Sequence, residues 1–119
     1  MANKRELKKF IRNTCGALAL DMVLARESFP VIDRKAVHDV VLDVARLQTR
    51  SLARVSVEFD RTPAQFESKA AYNKARHAFY NDAYAKLLAD FNKSVKEIVA
   101  KMNAALPDEV RKAIKEAIS

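Results

Sequence analysis

The chain has 119 residues, with a single glycine, three prolines and one cysteine, and 22 lysines and arginines against 15 acids give it a net charge of +7. That length predicts one domain over residues 1–119 with one core. The ordinary globular proportion of hydrophobic residues, 50% against 31% charged, excludes wholesale disorder, and the scarcity of glycine and proline excludes a turn-rich β fold, which needs residues tolerant of φ > 0 or fixed in turns.

Taken in chain order, residues 3–27 predict a first helix, because Leu7, Phe10, Ile11, Thr14, Leu18, Met22 and Ala25 recur mostly at steps of three and four. Its basic start followed by an apolar run superficially resembles a secretion signal. Asp21 interrupts that run while the helical period continues through it, so a cytoplasmic protein is expected. No stretch is long and apolar enough to span a bilayer, so no membrane partner is expected. Ser28-Phe29-Pro30-Val31-Ile32 reads as a loop, since proline biases Phe29 away from helical ψ.

Asp33 is the expected N-cap of a second helix over 34–59, with Val37, Val40, Val41, Val44, Leu47, Leu52, Val55 and Phe59 as its core stripe. Residues 55–59 also alternate as a strand would, but a lone strand leaves its backbone groups without partners. Thr62-Pro63-Ala64-Gln65 carries a capping box and a first-turn proline, predicting the start of a third helix that runs to Ala105. Unbroken, that helix is about 64 Å long against about 38 Å for the first. The excess has to kink, near Asn92, or project. Leu106-Pro107-Asp108-Glu109 opens a short last helix whose face is Val110, Ala113, Ile114, Ala117 and Ile118. The expected architecture is all-α: an antiparallel helical bundle of three long helices plus a short C-terminal helix.

Four sets of residues are candidates for function. The first is an internal polar layer. On a helical wheel Asp21 falls on the core side of the first helix, Gln48 and Ser51 on that of the second, and Asn73, His77, Tyr80 and Tyr84 on that of the third. Folding the hairpins about their loops puts Asp21 level with His38, Tyr80 and Tyr84, and Gln48 near Asn73 and His77. A buried aspartate is costly unless paired, and tyrosine hydroxyls would serve it. Such a layer either fixes helix register or builds a pocket with Asp21 or His77 as its acid–base group; register is the reading the residue types favour. No Gly-rich phosphate loop, His-Glu-x-x-His or nucleophile elbow supports catalysis, so no catalytic residue is expected. A di-iron bundle needs inward Glu-x-x-His pairs. Here the positions three before His38 and His77 hold Lys35 and Lys74, and no metal or other cofactor is expected.

The second set is a basic face of the first helix, Arg5, Lys8, Lys9 and Arg12. Like charges at this spacing repel, and cations sit badly at a helix N-terminus, so an anionic partner such as nucleic acid would relieve both costs. No nucleic-acid fold signature accompanies it, and a solvated face is the reading it favours. The third is the stripe Arg46, Arg50 and Arg54, expected to pair with neighbouring acids, Asp43 with Arg46 and Arg54 with Glu58, or to meet an acidic protein partner. The fourth is a second apolar stripe on the third helix, Tyr72, Ala75, Phe79 and Ala83, which predicts a helix covered on two sides. The last helix, about 16 Å long, is too short to cover it, so a symmetric homodimer is expected there. Together these residues favour a non-enzymatic interaction module that self-associates. The alternatives are a basic helical protein that binds nucleic acid, and a small enzyme or ligand binder built on the polar layer. Cys15, in an Ala- and Leu-rich setting, reads as an inert buried thiol.

Overall fold

A computed structural model describes residues 3–118, apart from the side chains of Ile114, Ala117 and Ile118. The described residues form four α-helices, α1 (Lys4–Ser28), α2 (Arg34–Val55), α3 (Lys69–Ala105) and α4 (Asp108–Ile118), with a 3-10 turn at Pro63–Gln65, and no strand. The fold is all-α, with α1 packed on α2 and α2 on α3.

Local chemistry sets most of the helix ends. The Asn3 side chain accepts the Glu6 N–H at 2.8 Å and starts α1, and the Asp33 carboxylate accepts the Lys35 N–H at 3.2 Å and starts α2. Phe29 leaves the helical region at φ −131°, ψ 85°, as the following proline requires. The buried side of α1 is a narrow arc, Leu7, Ile11, Cys15 and Met22, which meets Val37, Val40, Val44, Leu47 and Val55 of α2 and Tyr84, Leu87, Phe91 and Ile98 of α3 in one cluster. Phe91 is only 1% exposed. The Phe10 ring meets it edge-on, with centroids 5.7 Å apart, and so links α1 to α3. Burial pushes the Cys15 thiol up from its ordinary pKa, as an inert core cysteine requires.

Two boundaries differ from expectation. α2 stops at Val55, four residues early, and residues 56–62 form neither helix nor strand. The Tyr84 hydroxyl donates to the Val55 carbonyl at 3.3 Å, which gives a partner to one of the acceptors stranded at a helix end. The Phe59 N–H then donates to the Tyr80 hydroxyl at 3.2 Å. The Thr62-Pro63-Ala64-Gln65 box does form, with the Thr62 N–H donating to Gln65 Oε1 at 3.0 Å, but it closes a single 3-10 turn. Phe66 returns to extended backbone, and α3 begins only where the Ser68 hydroxyl accepts the Ala71 N–H.

The register between α2 and α3 follows from two cross-helix ion pairs, Asp43 with Lys101 at 2.6 Å and Arg54 with Asp90 at 2.9 Å. The two helices therefore run antiparallel, and α3 residues before Tyr84 lie past the end of α2. α3 is unbroken through Asn92. It contains neither proline nor glycine, the usual causes of a kink. At about 1.5 Å per residue it is about 55 Å long, most of the 65 Å extent of the molecule. Its excess length projects at the amino-terminal end, where the 56–68 segment folds over it. At the other end Val110 of α4 is buried beside the α1–α2 loop. Of the last helix's expected face, Ala113 is half-buried, while the side chains of Ile114, Ala117 and Ile118 lie outside the described residues.

Candidate functional site

The expected internal polar layer does not assemble. Asp21 is exposed. It precedes Met22 by one residue, about 100° around the helix, and the arc that α1 buries is too narrow to include it. Gln48 is half-buried and Ser51 buried. By the register of the ion pairs Gln48, six residues before Arg54, lies level with Lys96, six beyond Asp90. Asn73 and His77 are far along the projecting end of α3, and both are exposed. Hairpin folding about a tight 60–62 turn underlies the expected register. The chain instead spends thirteen residues, 56–68, covering α3, which slides α3 along α2. Among the described residues no buried side-chain nitrogen or oxygen lacks a partner.

Asn73, His77, Tyr80 and Tyr84 nevertheless share one place. With Asn3, Lys4 and Arg76 they line an open cleft of 430 Å³ where α1 begins beside α3. The Lys4 ammonium lies 5.4 Å and the Arg76 guanidinium 5.1 Å from the centre of the Tyr80 ring, both in cation–π range. Among the described residues, no carboxylate lines this cleft. Tyr84 is buried beneath it, and burial first, then neighbouring Tyr80, push its phenol pKa up, against the opposing pull of Arg76.

That shift, with the one at Cys15, makes an alkaline prediction. Both groups bind their protons more tightly in the folded state, so their contribution is intact below the ordinary values of 9.0 and 10.0 and is lost as pH rises through the higher folded values. Urea midpoints should therefore fall above about pH 9. The fall should be shallower in a Cys15→Ala, Tyr84→Phe variant, and an unchanged slope there would assign it to other groups.

The basic face is laid out on the surface, with Arg5, Lys9 and Arg12 exposed and Lys8 half-buried. None of the four is in an ion pair among the described residues. The arginine stripe pairs otherwise than expected. Arg54 takes Asp90 rather than Glu58, which lies past the end of α2, and Asp43 takes Lys101 of the facing helix rather than Arg46. Arg46 and Arg50 line a 720 Å³ groove between α2 and α3 together with Glu97 and the Asp43–Lys101 pair, a surface of mixed sign.

The second apolar stripe of α3 is covered by the chain itself. Tyr72, Ala75, Phe79 and Ala83 are all half-buried. The Phe59 ring packs against Phe79 at 5.3 Å, Tyr72 at 5.8 Å and Phe66 at 6.2 Å, and Phe66 meets Tyr72 at 5.5 Å. Residues 56–68 thus occupy the face from which a homodimer contact was expected. Phe59 and Phe66, flanking Thr62-Pro63, were the missed signal, since aromatic residues inside a supposed connection call for something to pack on.

A different face is left open. Leu20 is 56% and Leu24 52% exposed, and Asn13 and Ala17 continue their row toward the amino terminus. This row repeats the Ile11–Cys15–Leu18–Met22 spacing two residues later, so it lies about 200° around α1, opposite the core. Val23 is exposed beside it. No helix among the described residues is long and apolar enough to cross a membrane. No family model, curated protein or solved structure matches the chain.

Proposed function

We propose that the protein is a non-enzymatic helical interaction module that self-associates, and that it does so through the outer face of α1. The observation that carries this reading is the exposed Asn13–Ala17–Leu20–Leu24 row, whose alternating steps of four and three are the spacing of a paired-helix seam. A second copy suits it better than an unrelated partner on grounds of charge. Lys9 and Glu27 lie on the same flank of the row, near its opposite ends. Two copies of α1 packed antiparallel about a two-fold axis near Ala17 and Leu18 bring each Lys9 level with the other copy's Glu27. Ala17, near the axis, is small enough to let the two backbones approach.

Light scattering after size exclusion tests this directly. The expected mass is twice the 13.4 kDa of the chain, and Leu20→Glu, Leu24→Glu should return 13.4 kDa with an unchanged helical dichroism spectrum. Phe79→Glu, on the face already covered by Phe59, should instead destabilise the fold and leave the mass of the folded fraction doubled. A wild-type protein that stays at 13.4 kDa across accessible concentrations ends the proposal.

A further inference from the structure

We infer that the cleft between Lys4 and Arg76 is a binding site for a small phosphate monoester. It is separate from the outer face of α1 and does not rest on self-association. Two cations are held over one ring, Lys4 at 5.4 Å and Arg76 at 5.1 Å from the Tyr80 centroid, and among the described residues no carboxylate lines the cleft to balance them. A ring quadrupole offsets only part of the repulsion between two like charges, and a bound oxyanion offsets the rest. The larger groove between α2 and α3 offers no such field, because Asp43 and Glu97 line it.

The donor set selects the anion. An ammonium, a planar guanidinium fork and the Asn73 amide line the cleft, and a phosphate, with three terminal oxygens and up to two charges, can engage more of these donors than a carboxylate with two oxygens. The platform is fixed in advance: the Tyr80 hydroxyl accepts the Phe59 N–H, and the Tyr84 hydroxyl is tied to the Val55 carbonyl. The open cleft of 430 Å³ leaves room beside the two cations for an organic part attached to the phosphate. A sugar phosphate and a mononucleotide share this chemistry.

Titrations of the full chain with ribose 5-phosphate, a nucleoside 5′-monophosphate and the unphosphorylated nucleoside, followed by amide and ring NMR shifts, test the assignment. Either monoester should shift Arg76, His77 and the tyrosine rings, and the nucleoside alone should not. Binding of both monoesters alike makes the phosphate the recognised part, whereas preference for the nucleotide adds a contact to the base. Lys4→Gln and Arg76→Gln should each weaken binding about tenfold or more, as loss of a charge-assisted hydrogen bond does. Arg76→Lys should retain part of the affinity, and Arg5→Gln, Lys9→Gln should leave it unchanged. The inference is overturned if neither monoester binds the wild-type protein. It is equally overturned if the Lys4→Gln, Arg76→Gln double variant, folded by dichroism, binds as well as wild type.

Discussion

Phe91→Ala should lower stability by about 3–5 kcal/mol, the cost of emptying a large aromatic site in a core that collapses only partly. Phe91 is 1% exposed and belongs to the one cluster that joins α1, α2 and α3, so the cavity would open where all three meet. Against a total stability of about 5–15 kcal/mol this is a large fraction. The melting temperature of the variant should drop by about 10–20 °C. Phe10→Ala is the internal control. Its ring touches Phe91 edge-on yet is 44% exposed, so removing it costs part of one aromatic contact and some apolar area, about 1 kcal/mol. Chemical denaturation of both variants decides the matter. Equal losses would mean that Phe91 is no more central to the core than Phe10.

The second large effect is local rather than global. Phe59→Ala removes the ring that touches Phe66, Tyr72 and Phe79, and with aromatic pairs contributing about 0.5–1.5 kcal/mol each, about 2–3 kcal/mol of cohesion goes with it. Those contacts clasp the amino-terminal part of α3 before Tyr84, past the end of α2, where only the start of α1 lies beside it. Hydrogen exchange should therefore accelerate at amides from Lys69 to about Phe79, the end left with few tertiary contacts, while Leu87 to Ile98 keep their protection. A uniform loss of protection along α3 would show instead that the clasp and the bundle core unfold as one unit. The Phe59→Ala variant should also loosen Tyr80, because the backbone N–H at position 59 that its hydroxyl accepts would be held in place less firmly, and with it Lys4 and Arg76.

The sequence by itself determined what neighbouring residues determine. The helical class, the ends of α1, the Asp33 cap, the break at Phe29-Pro30 and the thiol hidden among apolar neighbours were all legible, because caps, proline sterics and a period near 3.6 act within one or two turns. Only the tertiary structure decided which of several apolar rows turns inward. On α1 the Ile11–Met22 row is buried and the equally periodic row through Leu20 and Leu24 is not, a choice made by how wide a face α2 and α3 cover. It likewise decided that a convincing capping box at Thr62 closes only a 3-10 turn, since Phe59 and Phe66 gain more by packing on Tyr72 and Phe79 than helical propensity offers. That detour cost little loop entropy, because the closure penalty grows slowly with length, yet it displaced the register of α3. The displacement in turn separated Asp21 from the tyrosines and brought Lys4 over Tyr80. Contacts between residues some eighty positions apart depend on that register, and no local pattern encodes it.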